Sequence, residues 1–127
     1  DTVMVGSLAW DLGDFLRSAA SRGREDDPAG AGVDVVFLEA GARGFLDGLA
    51  ETLTATERRA FVAAPAHMAF MLAVRFLTDH LAGDRYFRVR RPRQNLARAR
   101  TQLALVDGFD AARDALAAVV GAAPVQE

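Results

Sequence analysis

Apolar residues recur at three- and four-residue spacing through most of the chain, the mark of helices that bury one face. Leu8, Leu12, Phe15, Leu16, Ala19 and Ala20 form the first stripe, and Ser7 stands where a cap is needed. A second helix is predicted over roughly 34–50, where Val35, Leu38, Ala42, Phe45, Leu46 and Leu49 share a face and Asp34 is the cap. Thr54-Ala-Thr-Glu57 has the spacing of a capping box for a third start. Pro65 is expected to separate a short helix from a longer one, because proline has no N–H to donate and its ring crowds the preceding turn. Residues 66–81 form the most apolar helix, with Gly83 as its stop. After a connector from Asp84 to Arg91, Pro92 suits a first helical turn, and Leu96, Ala99, Leu103 and Val106 carry the next stripe, widened by Leu105 and Phe109. Gly108 is expected to kink or end that helix, leaving Leu116, Val119 and Val120 on a last one that stops by Gly121 and Pro124.

Periodicity fails in two places. Val3 and Val5 read as the end of a strand broken by Gly6-Ser7. The stretch from Ser21 to Gly32, rich in turn formers, reads as an exposed loop over about 21–33 and as the least ordered part of the chain. The expectation is one all-α domain over residues 1–127 with five or six helices, a pattern that a generic helix bundle shares.

Composition narrows the function classes. The chain is 51% hydrophobic and 25% charged, as in ordinary globular domains, and no apolar run is read as reaching the roughly 18 residues of a membrane span. With no basic-then-apolar leader pattern, a cytoplasmic location is the default expectation. The absence of cysteine removes disulfides and thiolate metal sites. All 15 basic residues are arginine, so no lysine nucleophile, Schiff base or lysine phosphate contact can come from this chain. A net charge of −2 gives no general pull toward nucleic acid or membrane, and neither is expected as a partner.

Few residues are candidates for chemistry. Arg75 lies in a strongly apolar helix and needs an acidic partner or a ligand. Asp79, one turn on, is one answer; the other is that Arg75 donates to substrate oxygens. Asp11 and Asp14 share a helix face and are open to three readings: a divalent cation site, an acid and base pair, or a solvated first turn. Asp14 with Arg17 has ion-pair spacing. His67 and His80 lack a third histidine or a cysteine for zinc, and no metal site is expected. Arg85, Arg88, Arg90, Arg91, Arg93, Arg98 and Arg100 form one basic cluster, with too few aromatics among them to stack single-stranded bases, and read as a solvated, partly salt-bridged face. Phosphate loops, Ser-His-Asp arrangements and zincin helices have no counterpart here.

Three segments, Asp1-Thr-Val-Met-Val-Gly, Trp10-Asp-Leu-Gly-Asp-Phe-Leu-Arg17 and Arg75-Phe-Leu-Thr-Asp-His-Leu-Ala-Gly-Asp-Arg-Tyr-Phe87, occur in the order found in one family. Together they resemble the carboxy-terminal part of the aminoglycoside-phosphotransferase-like kinases, closest to the N-acetylhexosamine 1-kinase type. The resemblance spans most of residues 1–107. It implies the helical C-terminal subdomain of a kinase-like fold, and it implies that Arg75 and Tyr86, the only tyrosine, face a sugar or similar hydroxyl substrate. By the same resemblance Asp11 supports the catalytic loop, and Asp14 and Arg17 line the substrate side. Asp1 aligns with the second aspartate of the family's Asp-Leu-Asp signature, near the metal site without being its ligand.

ATP and magnesium are implied for a full-length parent and neither for this chain, whose catalytic residues would lie upstream, so no catalytic residue is assigned within it. Two departures stand out: Val5 replaces the family's proline, and no aromatic follows Phe109 to close over a sugar. The expected function is the substrate-binding part of a sugar or amino-sugar phosphotransferase, inactive alone, with homodimerisation through an exposed apolar face. The rival expectation is a stand-alone helical ligand-binding or interaction module.

Overall fold

In a computed structural model, which describes residues 3, 5–49 and 53–122, the first helix starts where the spacing predicts. Ser7 Oγ accepts the Ala9 N–H at 3.3 Å and opens α1, Leu8–Ala19, whose Leu12 and Leu16 are completely buried. Asp34 opens α2, Val35–Leu49, by accepting the Val36 and Phe37 N–H groups through Oδ1 at 3.0 and 3.2 Å. Its other oxygen takes Arg22 at 2.6 Å. That ion pair, followed by the two backbone bonds, holds the Asp34 carboxyl below the usual carboxylate range.

The Arg22 to Asp34 bond also explains why residues 21–32 differ from the loop expected there. Ser21–Arg22 (β1) and Gly32–Val33 (β2) pair antiparallel, Ser21 opposite Val33 and Arg22 opposite Gly32, and close the segment into a small hairpin that stays mostly solvent-facing. Its tip is tied down as well, since Asp26 holds Arg91 at 3.0 Å and Glu25 holds Arg98 at 2.9 Å. Local composition could not reveal anchors that lie so far along the chain.

The largest departure is at Pro65. The capping box forms as predicted, with Glu57 N–H donating to Thr54 Oγ1 at 3.3 Å and Thr54 N–H donating to Glu57 Oε2 at 2.8 Å. From there α3 runs as one helix, Ala55–Leu81, through Pro65. Proline in a helix interior costs about 3 kcal/mol. Burial on both sides offsets it: Phe61 and Ala64 before the proline, and Ala69, Ala73 and Phe76 after it, all lie in the interior, as does Pro65 itself. Because it is unbroken, α3 is long and apolar enough to cross a membrane by length and composition alone, contrary to the expectation that no apolar run reaches that length; 33% of its most apolar window is buried against the rest of the chain.

Helix α4, Gln94–Ala111, starts two residues after Pro92, which sits in the preceding turn, and helix α5, Arg113–Ala122, completes five helices among the described residues. Gly108 neither kinks nor ends α4; it faces Val33 of β2 at the hairpin base. The chain breaks instead at Ala112, and α5 runs on through Gly121. The architecture is all-α, with the two-stranded hairpin as its one sheet among these residues. α3 is the spine, packed most extensively against α4 and α1, while α2 packs on α5 and α1. One core cluster joins them, centred on Leu12, Leu38, Leu46, Phe61, Leu105 and Leu116, with Phe45 edge-on to Phe61 at 6.1 Å.

The α1 to α3 crossing depends on Gly13. A β-carbon there would stand 2.8 Å from the Ala64 carbonyl oxygen and 2.9 Å from its carbon, contacts that only a backbone shift relieves. Gly13→Ala is therefore expected to destabilise the chain by about 1–3 kcal/mol despite alanine's better helix propensity. Gly44→Ala on α2, where nothing lies within 4 Å, should raise stability by up to about 1 kcal/mol. Urea unfolding followed by circular dichroism measures both, and a stabilised Gly13→Ala variant would refute the close crossing.

Candidate functional site

The end of α3 is built by a left-handed turn. Gly83 and Asp84 both have positive φ, 89° and 56°, and the reversal lets Gly83 N–H reach the His80 carbonyl at 3.2 Å and Asp84 N–H the Asp79 carbonyl at 2.8 Å. This pair of bonds is a Schellman stop, for which glycine at the first left-handed position has no β-carbon penalty. The chain then folds back over the helix it has just left.

Asp79 holds it there. Its Oδ1 accepts the Arg85 and Tyr86 N–H groups at 2.9 and 2.8 Å, and its Oδ2 accepts the Phe87 N–H at 2.9 Å and Asn95 Nδ2 at 2.8 Å. The carboxylate is buried, and its partners are four N–H donors rather than a cation. Burial by itself would raise the Asp79 carboxyl, but the N–H donors of Phe87, Tyr86, Arg85 and Asn95 together outweigh it and leave it below its ordinary value. Asn95, fully buried at the start of α4, also donates to Asp84 Oδ1 at 2.9 Å and accepts Arg98 Nη1 at 2.9 Å. The α4 face that turns inward is thus partly polar, with Asn95, Thr101 and Gln102 buried while Leu103 of the expected stripe is exposed.

This turn brings Arg75 and Tyr86 together. The Arg75 guanidinium carbon lies 5.6 Å from the Tyr86 ring centre and 5.4 Å from that of Phe87, within cation–π range, and Nη2 is 3.5 Å from the Tyr86 hydroxyl, a long hydrogen bond. Phe87 is itself pinned, its ring 4.6 Å from Phe76 and 4.8 Å from Tyr86. A cavity of ≈ 360 Å³ opens beside them, walled by Val74, Arg75, Thr78, Asp79, Ala82, Tyr86 and Phe87. It offers a guanidinium, a phenol and a threonine hydroxyl over an apolar floor, a donor set that suits hydroxyl groups.

Of the two answers open for Arg75, the pairing with Asp79 does not form, because all of Asp79's hydrogen bonds go to the returning chain and to Asn95. Arg75 is exposed at its ring contacts instead of buried and unpaired. Asp14 and Arg17 bind each other at 2.8 Å across one turn of α1 and do not line this cavity. Asp11 is exposed in the first turn of α1 and faces a separate cavity of ≈ 470 Å³ beside Ser7 and Trp10. Asp1 lies outside the described residues. Among the described residues no group of three or more His, Asp or Glu side chains is arranged to hold a metal ion. The one carboxylate at this cavity, Asp79, is already taken by three backbone N–H groups and Asn95.

Sequence reasoning missed Asp79 as the organiser and Asn95 as its partner. The available signal was an aspartate one turn before a glycine stop, followed by a connector whose N–H groups had no other acceptor.

The lowered Asp79 pKa sets a sign. Its contribution to stability is complete above the ordinary carboxyl value of 3.8 and is lost as pH falls through the lower folded-state value. Asp79→Asn, which leaves one acceptor oxygen for four donors, is expected to lower the urea midpoint sharply at pH 7, and the gap from the unaltered protein should shrink toward pH 2. A gap that stays constant over this range would show that the Asp79 charge is not what holds the turn. No protein-family model matches this chain, so the cavity beside Asp79 carries the weight of any functional assignment.

Proposed function

We propose that this chain is the substrate-binding, C-terminal part of an ATP-dependent small-molecule phosphotransferase of the sugar or amino-sugar kinase type. What supports this reading is one observation: the two residues that the family resemblance assigns to the sugar, Arg75 and Tyr86, share one cavity, 11 positions apart in sequence but in contact in space. Arg75 donates to acceptor hydroxyls, Tyr86 donates or accepts beside it, and Val74, Ala82 and Phe87 meet the sugar's apolar face. In such enzymes phosphoryl transfer rests on positioning and on charge stabilisation by metal ions and basic groups. The Asp79 carboxylate is taken by N–H donors and is not free to hold magnesium at this cavity, and nucleotide, metal and catalytic base are assigned to an upstream part of the parent.

Ligand-observed NMR with N-acetylhexosamines tests the reading. Saturable binding is expected, weakened about tenfold by Arg75→Ala and about threefold by Tyr86→Phe. Binding insensitive to both substitutions would overturn it. The chain alone is expected to turn over no ATP in magnesium buffer, and measurable turnover would refute the assignment of catalysis elsewhere. Sugar binding retained by a native protein that is no longer than this chain would favour a stand-alone binding module. Exposed Trp10, Phe70, Val74 and Leu81 are further expected to drive self-association, read by light scattering as mass above 13.6 kDa at high concentration.

A further inference from the structure

A second cavity, of ≈ 620 Å³, lies where the hairpin tip meets the segment before α4. Five arginines enter it, Arg24 from the hairpin and Arg88, Arg90, Arg91 and Arg98 from the connector and α4. Such convergence is costly in a chain whose net charge is −2, because like charges in one concavity repel unless something neutralises them.

The protein neutralises part of this charge. Glu25 takes Arg98 at 2.9 Å, and Asp26 takes Arg91 at 3.0 Å while standing 3.6 Å from Arg24 and accepting Gln94 at 3.0 Å. Burial would raise the Asp26 carboxyl, yet its bonds and charge interaction with Arg91 pull it below the usual range, which marks the positive field around it. Five guanidinium groups against two carboxylates leave three positive charges, and the two arginines without a carboxylate among the described residues are Arg88 and Arg90. Both are exposed, lie two apart on the connector and line the same wall. The start of α4 lies in this wall through Gln94, and its N-cap, Arg93, makes no side-chain capping bond, so the helix adds its positive end to the field.

From this geometry we infer that the cavity is an anion site for a small ligand bearing two linked phosphates, a diphosphate-type group. An excess of three charges suits an anion of similar multiplicity better than a carboxylate or a single phosphate. Guanidinium forks bind phosphate oxygens in bidentate pairs, and the volume falls in the range of small-ligand pockets. The site is separate from the Arg75 and Tyr86 cavity, with which it has no lining residue in common. Arg98 nevertheless links them, since it donates to Asn95, which donates to Asp79.

Isothermal titration of the chain with inorganic pyrophosphate, at constant ionic strength and without magnesium, tests the site. Saturable binding is expected, tighter than for orthophosphate and weakened at least about tenfold in the Arg88→Gln, Arg90→Gln double variant. Both side chains are exposed, so circular dichroism and the unfolding temperature of that variant should match the parent. Arg113→Ala, removed from the cavity, should leave the affinity unchanged. No saturable binding, equal affinity for orthophosphate, or undiminished binding by the double variant would each overturn the inference. So would an RNA oligonucleotide whose affinity rises with length and which pyrophosphate cannot displace, since that would make the arginines a nucleic-acid surface.

Discussion

The carboxylate of Asp79 is the constraint on which the turn after α3 and the cavity beside it depend. A buried charge is tolerated only when its lone pairs are used, and here three successive backbone N–H groups and one amide use them. Donors from residues 85–87 can converge on one carboxylate only if the chain doubles back at once, which the left-handed pair Gly83-Asp84 accomplishes. Tyr86 consequently lies over the helix that carries Arg75, and Phe87 is pressed on Phe76. Asn95 extends the same network into α4 and on to Arg98. The Arg75 cavity is thus shaped from this polar centre, and the arginine cavity is linked to it through Arg98.

That centre is useful only because α3 is continuous. A helix broken at Pro65 would uncouple the capping box at Thr54 from the turn at Gly83. As one rod, α3 receives α1 at Gly13 and packs along α4, and it keeps Phe70, Val74, Leu77 and Leu81 exposed. Of these exposed residues Val74 also lines the Arg75 cavity, so the apolar face reaches the wall of the site there.

Much of the fold was legible because its signals are local. Ser7, Asp34 and the Thr54 to Glu57 box cap the helices they were expected to cap, since a capping bond spans only two or three residues. Gly83 ends α3 for an equally local reason, its positive φ. At the site, the spacing of Arg75 and Tyr86 and the stop at Gly83 were readable, but the Asp79 carboxylate that holds the returning chain over the helix was not, because its donors come from beyond the helix. Whether Asp79 pairs with Arg75 stayed open in the sequence, since helix spacing shows which side chains can meet and says nothing of competing donors arriving from elsewhere. The Asp14 and Arg17 pair was readable as an ion pair, and their place apart from the cavity was not.

The sequence by itself determined where helices start, which faces are apolar, and that cysteine and lysine chemistry are absent, because these depend on neighbours within a turn or on composition. Tertiary structure alone decided that α3 passes through Pro65, that residues 21–32 close into a hairpin, and that α4 buries Asn95 and Gln102 while exposing Leu103. In each case the deciding partner is distant along the chain: burial on both sides of the proline, Arg91 and Arg98 for the hairpin tip, and Asp79 for Asn95. A local preference of a few kcal/mol or less yields whenever long-range packing and hydrogen bonding supply more.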